Sequence, residues 1–120
     1  MSAIQRLHTA ARYSEATIHN GTVYLTGQVA ADGTQDIGGQ TRQVLDAIDR
    51  LLAEAGSDKS RVLIAQIFLT DLGDYAGMNA VWDAWVPPGA APSRVTVQAK
   101  LARPEWRIEV QVTAATGSRP

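Results

Sequence analysis

With 120 residues, 45% of them hydrophobic, the chain has room for one domain, spanning 1–120, that buries roughly two-thirds of its unfolded surface. A formal net charge of −1 offers no electrostatic draw for a polyanion or an anionic membrane, so neither nucleic acid nor a membrane is expected as a partner. The lack of cysteine excludes disulfides, thiolate nucleophiles and thiolate metal sites together.

Met1 to Leu7 lacks the apolar run of a signal peptide, and no segment approaches the roughly 20 apolar residues of a membrane span, so a soluble, cytoplasmic protein is expected. A strand is expected at Gln5 to His8. His8 and His19, the only histidines, do not share a helical ligand spacing, and no metal site is expected. Ala16 to His19 and Thr22 to Thr26 are β-prone runs joined by Asn20-Gly21, the dipeptide that best fills the two positive-φ positions of a type I′ turn, so they predict a hairpin. Gly27 closes the second strand, where a glycine marks a bulge or a close approach by another backbone or a ligand.

Val29 to Gly39 reads as a loop, after which Val44, Ile48, Leu51 and Ala55 recur at helical spacing. The helix is expected to begin between Asp36 and Gln40 and to end at Gly56, a residue suited to the left-handed cap. Val62 to Leu69 is apolar on both faces and predicts a central strand covered on both sides. A second helix is predicted from about Tyr75 to Val86, with Asp71 and Asp74 as candidate caps and Tyr75, Met78, Val81, Trp82 and Trp85 on its apolar face. Asn79 interrupts that helix with a poor helix former, and Pro87-Pro88-Gly89 stops it.

The chain ends in two alternating runs around a proline-bearing turn. In the first, Val95, Val97 and Ala99 share one face and Arg94, Thr96, Gln98 and Lys100 the other; in the second, Trp106, Ile108, Val110 and Val112 oppose Arg107, Glu109, Gln111 and Thr113. Arg94 and Glu109 therefore both fall on polar faces. Thr116 to Pro120 reads as a frayed tail. The order of elements predicts an α+β fold, a single mixed sheet of about six strands with two helices packed on one face, because each helix has one apolar stripe to bury. Two helices cannot cover both sides of such a sheet, and self-association through the other face follows.

Several short pieces carry a resemblance along nearly the whole chain: Tyr13-Ser14-Glu15-Ala16, Val23-Tyr24-Leu25-Thr26-Gly27-Gln28, Gln40-Thr41-Arg42-Gln43-Val44-Leu45, Phe68-Leu69-Thr70-Asp71, Met78-Asn79, Pro92-Ser93-Arg94 and Ile108-Glu109-Val110. In order and spacing the chain resembles the RidA (YjgF/YER057c/UK114) family. The resemblance implies a chorismate-mutase-like fold, a homotrimer with clefts between subunits, and hydrolysis of enamine and imine intermediates to 2-keto acids and ammonia without a cofactor. It implies that Arg94 holds the substrate carboxylate, Glu109 orders the attacking water, Tyr13 lines the cleft, Gly27 admits the ligand near the backbone and Asn79 supports the pocket. Chemistry agrees: a guanidinium matches a carboxylate bidentately and stays protonated, so Arg94 suits an anchor for a 2-imino acid and not a base. Glu109 is the only carboxylate on its face of the strand and suits a water director.

The chain departs from the commonest family pattern at Ala11-Arg12 before Tyr13, at Val95 after Arg94 and at Gln98. Val95 and Gln98 keep a second reading open, a non-catalytic trimeric module that binds small carboxylates or a partner protein. A third reading, a ribonuclease or translation inhibitor, is disfavoured by the net charge.

Overall fold

The computed structural model describes residues 3–116. The chain runs through β1 (Gln5–Thr9), β2 (Ser14–His19), β3 (Thr22–Leu25) and the two-residue β4 (Gln28–Val29) into α1 (Ile37–Glu54). It continues through β5 (Val62–Leu69), α2 (Tyr75–Trp85), β6 (Ser93–Gln98) and β7 (Ile108–Ala115). The strands form one mixed sheet in the order β1-β2-β3-β7-β5-β6, with β4 pairing β7. Six strands make the continuous path, and β4 is the addition to the expected number. Only β5 and β6 pair in parallel, as the α2 crossover between them requires.

The hairpin forms as its turn dipeptide dictates, with φ of 52° at Asn20 and 78° at Gly21. Asp36 caps α1 by accepting the Gly39 N–H at 2.8 Å, and Gly56 follows the helix at φ 80°. Asp71 caps a 3₁₀ turn at Leu72–Asp74, whereas Asp74 makes no capping hydrogen bond with its side chain. Its carboxylate pairs instead with Arg107 at 3.3 Å. Thr116, read as frayed, is tied down: its N–H donates to Gly21 O at 2.9 Å and its carbonyl accepts from Arg61. The remainder of the expected tail lies outside the described residues.

Both helices pack on one sheet face. Val44, Ile48 and Leu52 of α1 and Met78 and Trp82 of α2 meet Val23, Ala65, Ile67, Leu69, Val110 and Val112 in a single core. The least extent of 20 Å matches a sheet plus one helix layer, as layers stack about 10 Å apart. The expectation that Val62 to Leu69 is covered on both sides therefore fails within one chain. Along β5 buried and accessible residues alternate, and Leu63 is 52% exposed. Tyr24, Val95 and Val97 are exposed as well.

The last two strands are not neighbours, because β5 runs between them. Register then fixes their faces: Ala65 of β5 pairs with both Arg94 and Val112, and Phe68 with both Val97 and Glu109. Paired residues point the same way. Arg94 and Thr96 thus share the helix-side face with Val110 and Val112, while Glu109 shares the open face with Val95 and Val97. The polar face of β6 is the inner one, since this edge strand lies beside the aromatic flank of α2 and not over the middle of the helix layer. Strand β7 begins at Ile108, so Trp106 belongs to the preceding loop, where the Arg103 guanidinium lies 5.5 Å from its ring.

Candidate functional site

Arg94 rises from edge strand β6 toward α2, and three residues of that helix receive it. Its Nη1 donates to Asn79 Oδ1 at 2.8 Å and its Nη2 to the Tyr75 hydroxyl at 3.0 Å. The guanidinium carbon lies 5.4 Å from the Trp82 ring centroid and 5.7 Å from that of Tyr75. Tyr75, Asn79 and Trp82 are spaced i, i+4, i+7, so one stripe of α2 presents all three. Asn79, an interruption in the apolar pattern, is the residue that turns part of this stripe toward a charged partner.

Two of the five guanidinium hydrogens are thereby used, and three remain, enough for a bidentate carboxylate. The aromatic rings stabilise the cation while the two hydrogen bonds fix its plane. Arg94 and Thr96, with Leu72 and Tyr75, line a cavity of about 460 Å³ at the sheet edge. Leu72 and Tyr75 are exposed, at 51% and 44%, so the cavity has an apolar rim. Among the described residues, Thr96 Oγ1 is the one buried side-chain polar atom without a hydrogen-bond partner.

The other expected site residues form a second group. A Cβ built on Gly27 would collide with the Glu109 carboxylate, so the absence of a side chain there is what lets that carboxylate lie across the strand end. Val29 pairs with Glu109 in the register of β4 and β7. The segment that starts at Tyr13 runs alongside: Thr26 N–H donates to Glu15 O at 2.9 Å, and the Gln28 amide donates to the Glu15 carboxylate at 3.1 Å. Tyr13 is 57% exposed. The structure therefore joins Arg94 with Asn79 and Glu109 with Gly27, and places Arg94 and Glu109 on opposite faces of the sheet. Sequence reading missed Tyr75 and Trp82 as partners of Arg94, since both fit the core pattern of α2, and Thr96, which reads as an ordinary strand residue.

This arrangement can be set beside known proteins. The family model described as Endoribonuclease L-PSP matches residues 3–116. A crystal structure of a member of the YjgF protein family from Neisseria meningitidis superposes with a TM-score of 0.95 at 51% identity, covering 98% of each chain. The chain belongs to this YjgF/RidA family. A RutC family protein of Haemophilus influenzae is 50% identical over 112 residues, covering 92% of this chain and 97% of the relative. The RutC family protein YoaB of Escherichia coli is 46% identical over 112 residues, covering 93% and 97%. The sheet and two-helix architecture is thus that of the YjgF/RidA fold.

Proposed function

We propose that this YjgF/RidA member hydrolyses small 2-imino and enamine acids to 2-keto acids and ammonia. The carrying observation is the Arg94 guanidinium, fixed by Asn79 and Tyr75 and seated against Trp82, with three donors left over at the wall of a cavity sized for a small acid. Such a clamp suits a planar carboxylate and fixes the distance from it to the neighbouring C2. Water adds to C2 of the protonated imine while Glu109 accepts its proton; Glu109 returns that proton to the carbinolamine nitrogen, then takes the hydroxyl proton as the C–N bond breaks, and ketone and ammonia leave, the ammonia taking up the last proton. Positioning supplies most of what such a readily hydrolysed bond needs.

Glu109 and Arg94 of one chain face opposite ways, so the two halves meet only between chains. The open face carries Leu63, Val95 and Val97 together with Glu109, and covering it with a neighbour removes exposed apolar surface and brings that neighbour's Glu109 and Tyr13 toward an Arg94 edge. A closed homotrimer with sites between subunits is the assembly proposed. Sedimentation at micromolar concentration should give about three times the 12.8 kDa chain mass; a mass of one chain would overturn the shared site.

The activity is tested by generating imine with an amino acid oxidase or a serine dehydratase beside this protein and trapping residual imine with semicarbazide. Faster imine loss with wild type, absent with Arg94→Ala, is the expected result. No acceleration with several imines, alongside retained binding of 2-keto acids, would favour a binding module. The family name raises RNA cleavage as well, but the formal charge of −1 gives little attraction for a polyanion, and intact RNA after incubation is expected.

A further inference from the structure

We infer that the cavity between α1 and the β1–β2 edge of the sheet is a second binding site, one that takes the zwitterion of an α-amino acid. The cavity, of about 260 Å³, lies at the sheet edge opposite to β6 and so apart from Arg94. His8, Glu15, Gln28, Arg50 and Glu54 line it, and Ala47 and Leu51 add an apolar wall. The site does not depend on what Arg94 holds.

Two features keep the charges of this cavity from cancelling one another. His8 has a φ of 52°, a left-handed conformation that a residue with a Cβ rarely adopts, and the ladder passes over it: Leu7 pairs with Ala16 and Thr9 with Ser14, with no pair for His8 and Glu15 between them. Turned this way, the His8 ring reaches α1, where Nε2 donates to Glu54 Oε1 at 2.6 Å. Glu54 stands four residues after Arg50 and would otherwise be its natural partner on the helix. Glu15 is held in turn by the Gln28 amide, which donates to its carboxylate at 3.1 Å. Among the described residues Arg50 makes no ion pair, although two carboxylates line the same cavity. An unpaired guanidinium thus shares a space of small-molecule size with two carboxylates that other side chains hold back. An α-amino acid fits that division: Arg50 takes its carboxylate bidentately, Glu15 and Glu54 keep acceptor sites for its ammonium, and an apolar side chain lies on Ala47 and Leu51. A plain anion would meet the two carboxylates and a plain cation would meet Arg50, so each half alone is repelled by part of the wall.

Calorimetric titration of L-leucine, 4-methylpentanoate and 3-methylbutylamine tests this, since the acid lacks the ammonium of leucine and the amine lacks its carboxylate. Wild type should bind leucine about tenfold more tightly than either half. Arg50→Gln and Glu15→Gln should each weaken leucine about tenfold. Both variants should keep the melting temperature, because Arg50 is exposed and a glutamine at position 15 still accepts from Gln28. Arg94→Ala should bind leucine as wild type does. No binding of L-leucine or of the smaller L-alanine by wild type would overturn the site, as would equal affinity for leucine and either half, or unchanged affinity in both glutamine variants. Leucine binding lost in Arg94→Ala and kept in Arg50→Gln would put the amino acid in the Arg94 cavity and overturn the second site as well.

Discussion

Gln40 Oε1 accepts the backbone N–H of Arg107 at 2.9 Å, across 67 positions of sequence, and so couples helix α1 to the start of the strand that carries Glu109. The Gln40 side-chain amide also donates toward the carbonyls of Gly33, Gln35 and Glu105 at 3.0–3.2 Å. Gln40 is fully buried, so water cannot replace these bonds. Gln40→Leu should cost roughly 3 kcal/mol, because it strands an N–H and at least two carbonyls. Gln40→Glu should lose more at pH 8 than at pH 4: its carboxylate would face three carbonyls, favouring the protonated form when folded, and stability present at low pH is lost as pH rises. Denaturant unfolding of both variants at the two pH values measures this, and a loss under 1 kcal/mol would show the network to be dispensable.

Gly27 and Glu109 make a different kind of pair. Adding a methyl at position 27 meets the far end of a flexible side chain, so Gly27→Ala should fold with a nearly unchanged melting temperature. The methyl displaces the carboxylate from its place over the strand end. Under the proposed hydrolysis, imine turnover should fall at least tenfold while calorimetric affinity for 2-oxobutanoate changes little, since Arg94 is untouched. Full activity in Gly27→Ala would mean that Glu109 does not direct the water.

Much of this fold was legible because its signals are local. Asn20-Gly21 names its own turn, Asp36 and Gly56 bracket α1, and the 3.6-residue period of Val44, Ile48 and Leu51 has no competing reading. The orientation of Arg94 was not legible in the same way. Alternation divides β6 into two faces, but which face is inner depends on pairing with β5, a nonlocal register that no pattern within the segment contains. The usual rule puts valines inside; here Val95 and Val97 are exposed and Arg94 points at α2, because the strand lies at the sheet edge. Tyr75 and Trp82 stayed hidden for a related reason. An aromatic in a helical stripe reads as core, and only the three-dimensional neighbour reveals that its face holds a cation.

Asp49 offers a pH test away from the site. Burial pushes its carboxyl above the ordinary aspartate value of 3.8, an effect opposed by the hydrogen bond from the Trp85 indole and by the Lys59 charge. The indole nitrogen lies 3.1 and 3.2 Å from the two carboxylate oxygens. A carboxyl raised in the folded state favours folding when protonated, so its contribution is complete below about 3.8 and is lost as pH climbs through the raised value. Asn at this position still accepts from the indole and carries no charge. Asp49→Asn should therefore gain stability relative to wild type as pH goes from 4 to 7, measured by denaturant midpoints. A difference that stays flat or narrows over that range would contradict the direction of the shift.

The opposed faces of Arg94 and Glu109 give the assembly its own test. If each site takes Arg94 from one subunit and Glu109 from another, Arg94→Ala and Glu109→Gln proteins are each inactive alone but can complement. Unfolding and refolding an equal mixture distributes subunits at random, and a site is intact only when the Arg-bearing position holds Glu109→Gln and the Glu-bearing position holds Arg94→Ala. Each condition is met half the time, so about a quarter of wild-type imine turnover should return, whatever the number of subunits in the ring. Simple mixing without refolding should restore less if subunits exchange slowly. Recovery near zero after refolding, with the mixture shown by sedimentation to have reassembled, would place both groups in a single chain's site, whereas a Glu109→Gln protein active on its own would remove Glu109 from the reaction. Recovery near a quarter would require that Arg94 and Glu109 act from different copies, in keeping with the opposite sheet faces on which the register of β5 with its two neighbours places them.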